Sequence, residues 1–419
     1  MSDSSSMVNQ SKQDSTEPVT HTIQKSKYIK RNELLLSLSK IKPDEFINQE
    51  CVKCVDFNEK ENMYLFSYGS GTSDMEEEVK KCRGRVYDNS GKLIMNCFNY
   101  VDELSPSTFR EKHPHFDISQ YNCFMSREGT VIRVFCHNDK WFLSTHKRLD
   151  AYKSKWSSKQ SFGELFEKNI LTVYKDMNEF FSKLNKENTY AFLILSTPEN
   201  RIVNTSSNGE VYHVYTLHGE KVVDDDVGIN KFEPLSDDLT IDDIYKIVSN
   251  VDPLESQGVI FFHKTKNYQI KMVNNDYTYL SSLRGNEPSI KFRYIQIRNE
   301  TFIPDFINLY KEYNEWFVLY ESIINETISD IFSAFITRYI NRDYIMIPQK
   351  EYIVLQKCKK YVDSKPVNYK LTLEDVSNFF NELNCTQINK IIKDRYFSYT
   401  PQEYYKTPGR NFFFELKNA

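Results

Sequence analysis

The sequence predicts an α+β protein, with an antiparallel β body over residues 28–290 and a helical C-terminal domain over residues 291–419. Short β-branched and aromatic runs separated by Gly, Asn and Asp dominate the first part, which is typical of antiparallel strands. From about residue 302 the apolar period changes from two to 3.6, which is typical of amphipathic helices. Residues 1–27 are rich in Ser, Gln, Asp and Thr, and we expect a disordered tail.

Composition excludes several classes of protein. The net charge of −4 does not favour bulk attraction to nucleic acid, so any RNA or DNA contact requires a local patch. Eight cysteines in 419 residues do not form a disulfide framework. No apolar run approaches the roughly 18 residues of a membrane span, and the N-terminus is too polar for a signal peptide. We therefore expect a cytoplasmic protein with reduced thiols and no membrane partner.

The fold is expected to begin at residues 28–38, and a β-meander is predicted over residues 62–98. Residues 64–68 and 81–87 have strand composition. Residues 88–91, Asp-Asn-Ser-Gly, predict a hairpin turn, and residues 92–98 form its second strand.

The next stretch, residues 121–156, predicts three strands and carries positive charge. Turns are expected at 127–129 and 137–140, with strands at 131–135 and 141–145. Residues 126–159 contain eight Lys and Arg against three Asp and Glu, although the whole chain is acidic.

This basic stretch is a candidate RNA surface. Exposed aromatic rings stack on bases and lysines contact phosphates, each stacked base contributing roughly 1–3 kcal/mol. The alternative is that the tryptophans belong to the core and the lysines to a solvated face. The candidate RNA contacts are Trp141, Lys147, Arg148, Lys153, Lys155 and Trp156.

Three capping boxes predict helix starts further along the chain. Ser161, Thr240 and Thr372 are each followed three residues later by an acidic residue, which can bond back to the cap. Between these helices the composition predicts strands at 189–195, 202–204 and 211–217, and a last hairpin formed by residues 257–262 and 268–273.

The C-terminal helices carry two aromatic and aliphatic faces, one within residues 306–320 and one within 328–339. Either these faces form the core of the domain or they bind a protein partner. No metal site is predicted. The CxxC at Cys51 and Cys54 lacks a second pair at zinc-ribbon spacing, and the acidic run at 224–226 is interpreted as a solvated loop.

Five short pieces, in order, resemble the phage-type ATP-dependent RNA ligases that repair tRNA, which belong to the covalent nucleotidyltransferase superfamily. The resemblance spans residues 60–285, and the helical C-terminal region is similar in kind to the tRNA-facing domain of that family. The pieces are Cys82-Arg-Gly, Ser126-Arg-Glu-Gly-Thr, Ser196-Thr-Pro-Glu-Asn-Arg-Ile-Val, Gln257-Gly-Val-Ile and Ile270-Lys.

The resemblance implies a defined chemistry. In the family, a lysine of a K-x-D-G motif attacks the α-phosphate of ATP and passes AMP to an RNA 5′-phosphate. Glutamates of the third and fourth motifs hold the ribose and Mg²⁺, and a Lys-x-Lys pair neutralises the phosphates. A desolvated amine is a competent nucleophile for such a reaction.

This chain departs from the family at the positions that carry the reaction. The nucleophile position is Ser126, whose unactivated hydroxyl is a poor nucleophile. The third-motif glutamate falls on Ile194 and the fourth on Gln257, which has no charge for a hard cation. The first lysine of the last pair falls on Gln269, and a further lysine of the family falls near Tyr100.

Two interpretations of the retained residues remain open. Either they outline a relic nucleotide or phosphate pocket, in which Arg83 and Lys271 together hold one phosphate, or they serve turns and strands, with Lys271 exposed. The candidate pocket residues are Arg83, Ser126, Glu128, Gly129, Gln257, Gly258 and Lys271.

The sequence therefore predicts a catalytically inactive RNA-ligase-like protein that binds RNA or nucleotide ends, or acts as an interaction module, with no cofactor. One alternative is an active ligase that uses ATP, Mg²⁺ and a relocated lysine such as Lys112 or Lys140. Another is a structural or assembly protein that works through the C-terminal helices.

Overall fold

A computed structural model describes residues 52–68 and 77–399 of the chain. The chain divides into two compact units. The first contains the described residues up to Asn274 except 202–204, and the second contains residues 202–204 and those from Asn275 onward. The predicted tail at 1–27 and Cys51 lie outside the described residues.

The first sheet is the predicted β-meander. Its strands β1 to β4 pair in chain order and antiparallel, with the hairpin turn at residues 88–91. Their bounds are Val52–Asn58, Met63–Tyr68, Arg83–Tyr87 and Leu93–Met95.

The second sheet has five antiparallel strands in the order β11-β10-β9-β7-β8. Its strands are β7 (Gly129–His137), β8 (Lys140–Ser144), β9 (Asn188–Leu195), β10 (Val211–His218) and β11 (Lys221–Val223).

The third sheet has the order β5-β13-β12-β6 and contains one parallel pair, β5 with β13. Its strands are β5 (Asp102–Leu104), β6 (Tyr121–Ser126), β12 (Gly258–His263) and β13 (Gln269–Val273). The pairing of β12 with β13 confirms the hairpin expected at the end of the β body.

Helices cover the second and third sheets of the first unit. The second sheet packs on helices α3 (Phe162–Ile170) and α4 (Met177–Ser182) through residues such as Ile132, Phe166 and Phe192. The third sheet packs on helices α2 (Pro106–Lys112) and α5 (Ile241–Asn250) through Phe109, Phe261 and Ile244. Ser161 and Thr240 cap α3 and α5 in the predicted capping boxes. The helices of this unit are α1 (Glu77–Lys80), α2 (Pro106–Lys112), α3 (Phe162–Ile170), α4 (Met177–Ser182) and α5 (Ile241–Asn250).

The second unit is helical. Its helices are α6 (Asn275–Arg284), α7 (Ile290–Ile297), α8 (Ile303–Leu309), α9 (Asn314–Phe335), α10 (Gln349–Asp363), α11 (Leu373–Asn381) and α12 (Cys385–Tyr399). The predicted α+β class, with antiparallel sheets and a helical C-terminal region, is confirmed.

Three local expectations change. Residues 202–204 bend instead of forming a strand, with Val203 fully buried and grouped with the helical unit. That unit begins at Asn275 rather than at residue 291. Residues 127–128, predicted as part of a tight turn, carry the chain from the third sheet to the second, because β6 pairs with β12 whereas β7 pairs with β8 and β9.

The aromatic faces predicted on the C-terminal helices are core. Phe306, Phe317, Ile331 and Phe335 are buried within the helical unit. The observation that suggested a protein-binding surface on these helices is therefore explained by the packing of the unit itself. Within the described residues, none of the helices has the length and apolar character that a membrane crossing requires.

Candidate functional site

A cavity of about 450 Å³ opens in the first unit where the chain passes from β6 to β7. Residues from all three sheets line it. They include five of the seven candidate pocket residues, Arg83, Ser126, Gly129, Gln257 and Lys271. Positions that lie up to 188 residues apart in the sequence (83 to 271) are thus brought to one place.

The polar side of the cavity is a hydrogen-bonded chain of four side chains. The Ser126 hydroxyl donates to Oε1 of Gln257 at 2.8 Å, and Nζ of Lys271 donates to the same oxygen at 2.9 Å. Lys271 also forms an ion pair with Glu103, with 2.8 Å between Nζ and Oε1. The Lys271 ammonium holds the pKa of Glu103 below its usual value.

This arrangement corrects the expectation that Lys271 is exposed. Lys271 is buried at the cavity wall, where it has two acceptors. Glu103, which supplies the carboxylate, was missed by the sequence analysis. It lies in the short strand β5, opposite Lys271 in the parallel pair, a neighbour that sequence spacing does not predict.

The other two candidate pocket residues, Glu128 and Gly258, do not line the cavity. Glu128 is buried in the segment that crosses between sheets. Gly258 begins β12 with φ +138°, and a Cβ there would lie 2.2 Å from the carbonyl oxygen of Met272. Gly258 is therefore required by the close approach of the neighbouring strand, rather than by a turn.

Ile194, at the position of the third-motif glutamate, does not face the cavity. Side chains alternate faces along β9, and Ile194 packs into the core beneath the second sheet, whereas Leu193 lines the cavity. Neither side chain carries a carboxylate. Gln269, at the position of the first lysine of the last pair, donates its amide to the carbonyl of Asn99 at 2.9 Å.

Cationic and imidazole groups also line the cavity, and they include residues that sequence reasoning missed. Arg133 projects from β7 and His146 follows β8. Burial, with Arg83 and Arg133 beside it, lowers the pKa of His146 well below its usual range, so the ring is neutral. A charged residue inside the apolar run Val131–Phe135 was the available signal for Arg133.

The remaining wall is aromatic. Phe98 and Tyr215 meet edge to face with ring centroids 4.1 Å apart, and Phe262 lies within 5.5 Å of Phe98 and 5.8 Å of Phe124. Burial raises the pKa of Tyr215 to about 12, which keeps its hydroxyl protonated. A planar apolar group and an anionic group would both find complementary surfaces in this cavity.

The candidate RNA contacts fall into two groups. Trp141 and Trp156 are half-buried and pack against the core of the second sheet, and Trp141 stacks on Phe181 with 5.5 Å between ring centroids. Packing against the core favours the alternative interpretation, in which the tryptophans are structural. The four basic residues, Lys147, Arg148, Lys153 and Lys155, are exposed.

Two of these basic residues have acidic neighbours. Arg148 lies 3.8 Å from Asp56, and Lys153 lies 2.9 Å from Asp150. Exposed pairs of this kind contribute little to stability, roughly 0–1 kcal/mol, so they leave the surface accessible to an anionic partner.

The lysines considered as relocated nucleophiles do not line the cavity. Lys112 is exposed in the last turn of α2. Lys140 begins β8 and pairs with Glu61 at 2.5 Å. Cys54 is a buried thiol, and no cluster of three metal-ligating side chains is found within the described ranges.

The chain is similar in sequence to two viral proteins. No protein-family model matches the chain. A protein of Invertebrate iridescent virus 6 described as an immediate-early protein ICP-46 homolog is 29% identical over 349 residues, covering 75% of this chain and 76% of the relative. A protein of Invertebrate iridescent virus 3 with the same description is 29% identical over 275 residues, covering 63% of this chain and 61% of the relative. This chain thus spans about three fifths of the second relative.

The solved structures that this chain is similar to include ATP-dependent ligases. An Aquifex aeolicus protein described as a putative ATP-dependent DNA ligase has a TM-score of 0.37 and 12% identity, covering 77% of this chain and 87% of its own. An archaeal ATP-dependent RNA ligase has a TM-score of 0.35 and 10% identity, covering 62% and 65%. A Naegleria gruberi RNA ligase has a TM-score of 0.31 and 9% identity, covering 43% and 57%. Because these TM-scores are low, the likeness by itself assigns neither substrate nor activity to this chain.

Proposed function

We propose that this chain is an RNA-ligase-like protein that binds a nucleotide or a phosphorylated RNA end in the cavity without forming a covalent adenylate. One observation carries the proposal. Four of the five ligase-like pieces contribute residues to one cavity, but the side chain at the nucleophile position is Ser126, hydrogen-bonded to the neutral amide of Gln257.

The local chemistry argues against covalent transfer. A serine hydroxyl requires a general base before it can attack phosphorus. The oxygen that accepts the hydrogen bond of Ser126 belongs to an amide, which has negligible basicity. The two lysines that line the cavity each form an ion pair, Lys271 with Glu103 and Lys231 with Asp224, both with 2.8 Å between nitrogen and oxygen. An ammonium has no lone pair with which to attack phosphorus.

The same cavity is suited to noncovalent binding of an anion that carries a planar group. Five cationic side chains line it, Arg83, Arg127, Arg133, Lys231 and Lys271, against the single carboxylate of Glu103. Its volume lies within the roughly 300–1,000 Å³ typical of small-molecule sites. The aromatic wall provides a surface for a base, and the exposed basic residues between 147 and 155 provide a path for further RNA phosphates.

Incubation with α-labelled ATP and Mg²⁺ tests the proposal. After denaturing electrophoresis the wild-type chain is expected to carry no label, whereas equilibrium dialysis retains labelled ATP or a 5′-phosphorylated oligoribonucleotide. Retention is expected to fall about tenfold in Lys271→Met, since one charge-assisted contact contributes roughly 1.5–3 kcal/mol.

Two comparison variants sharpen the result. Lys246→Met, in which an exposed lysine of α5 is removed, is expected to retain the ligand normally. Ser126→Lys with Gln257→Glu restores an amine and a carboxylate at the cavity wall, and any label should appear only in this variant. A labelled band in the wild type, or no retention of either ligand at low salt, would contradict the proposal.

A further inference from the structure

We propose that Arg133 and Arg83, which both line the cavity, form an anion subsite that holds one phosphoryl group through paired guanidinium contacts. The anion chemistry follows from the two arginines alone. Only the identity of the molecule that carries the phosphoryl group rests on the proposed function above.

Arg133 has unused hydrogen-bonding capacity in a buried position. Its exposed fraction is 2%, and its Nη1 donates to the carbonyl oxygens of Arg83 and Gly84 at 2.9 and 3.1 Å. Its Nε and Nη2 have no hydrogen-bond partner, and the same holds for Nε of Arg83. Buried polar atoms in folded proteins are almost always paired, so these three donors indicate a missing acceptor.

The charge of Arg133 is also uncompensated. No ion pair joins either arginine to a carboxylate in the described part of the chain, and the nearby His146 is neutral. Burial lowers the pKa of Arg133 below its usual value, which reflects the unfavourable removal of the guanidinium from water. A bound dianion would satisfy the open donors and offset this cost.

The surrounding sequence makes room for the Arg133 side chain. Its partners across the second sheet are Ala191 on β9 and Ser144 on β8, both small. Gly84 has φ +91°, and a Cβ on it would lie 2.5 Å from Nη1 of Arg133. The glycine that follows Arg83 is therefore explained by the close approach of the second arginine.

Guanidinium groups favour a terminal phosphate over an internal phosphodiester. Two planar forks can bind several oxygens of one phosphoryl group, and a monoester presents three free oxygens and up to two charges, whereas a diester presents two oxygens and one charge. We therefore infer that the subsite takes a terminal phosphate, either as the free inorganic ion or on the end of a nucleotide or RNA strand.

Calorimetric titration with inorganic phosphate, AMP and a 5′-phosphorylated oligoribonucleotide tests the inference, with a 5′-hydroxyl oligoribonucleotide as reference. Wild-type protein should bind all three phosphorylated probes. Arg133→Met should weaken each at least about tenfold, as loss of a charge-assisted contact predicts. Arg133→Lys keeps the positive charge but loses the planar guanidinium group, so it should also weaken binding. It serves as the test if Arg133→Met does not fold. Arg110→Met removes an exposed arginine of α2 and should bind as the wild type does.

The outcomes separate this subsite from the proposed function. Phosphate binding that depends on Arg133, without binding of AMP or RNA, supports the subsite and overturns the proposed function. RNA binding with equal affinity in wild type and both Arg133 variants overturns the subsite and leaves the proposed function standing. Equal affinity for the 5′-phosphorylated and 5′-hydroxyl strands also overturns the subsite.

Discussion

His213 on β10 is a buried histidine whose protonation should destabilise the folded chain. Only 3% of it is exposed, and its Nε2 lies 2.9 Å from Oγ1 of Thr216. Burial, followed by the nearby charge of Lys231, lowers its pKa to about 4, against about 6.5 for an unfolded histidine. Asp224 and Asp225 act in the opposite direction but do not reverse the shift.

The sign of the pH effect follows from the number of protons bound. Between pH 6.5 and 4 the unfolded chain binds a proton at His213 and the folded chain does not, so stability falls as pH falls. The difference in pKa corresponds to about 3 kcal/mol by pH 4. Urea unfolding at several pH values should show a slope that is shallower in His213→Gln, which keeps a polar group near Thr216. Equal slopes in both proteins would contradict the assignment.

At the residue scale, the sequence indicates which positions differ from the RNA-ligase motifs. It does not indicate which hydrogen bonds and ion pairs join those residues. Ser126 and Gln257 can be identified from the order of the motifs, because they lie at the starts of recognisable pieces. Their hydrogen bond and the ion pair of Lys271 with Glu103 depend on pairing between strands distant in sequence. Arg133 lies seven residues after Ser126, and its importance emerges only from its burial and its open donors.

At the scale of elements, short sequence motifs predict the start of a helix correctly when the hydrogen bonds involved join residues close in sequence. The capping boxes at Ser161, Thr240 and Thr372 each start a helix as expected, because both hydrogen bonds lie within four residues. The sequence predicts a tight turn between β6 and β7, but the two strands belong to different sheets. A hairpin and a crossing between sheets can use the same short Gly-containing segment. Only the partners of each strand distinguish the two.

Gly258 offers a test of strand packing with a matched control. Gly258→Ala places a Cβ 2.2 Å from the Met272 carbonyl at φ +138°, so we expect a loss of roughly 3 kcal/mol or more. Gly219, in the turn between β10 and β11, has φ +61° and open space around it. Gly219→Ala should therefore cost only about 1 kcal/mol. Urea midpoints measure both changes, and equal losses would show that backbone conformation, not the clash, sets the cost.

At the scale of the whole molecule, composition and period were sufficient for the class but not for the boundary between units. The change from period two to 3.6 reflects which face of each element is buried, and that pattern is local. The grouping of residues 202–204 with the helical unit is not local, because this short segment comes from the middle of the β body. Sequence patterns do not indicate that a three-residue segment groups with a unit formed by a distant part of the chain.

Each unit buries apolar residues of its own, and we expect the stabilities of the two units to be separately measurable. Ile132 belongs to the core of the second sheet, Ile331 lies in the helical unit, and both are fully buried. An Ile→Ala change at a buried site costs roughly 2–5 kcal/mol. Chains with more than one core commonly depart from two-state unfolding, so each substitution should shift the unfolding of its own unit.

The three tryptophans make this experiment direct, because Trp141 and Trp156 lie in the first unit and Trp316 in the second. Trp316→Phe leaves fluorescence that reports on the first unit, and Trp141→Phe with Trp156→Phe leaves fluorescence that reports on the second. In these backgrounds Ile132→Ala should lower the urea midpoint of the first signal only, and Ile331→Ala that of the second only. If each change shifts both signals equally, the cores unfold as one cooperative structure and the division into units has no energetic meaning.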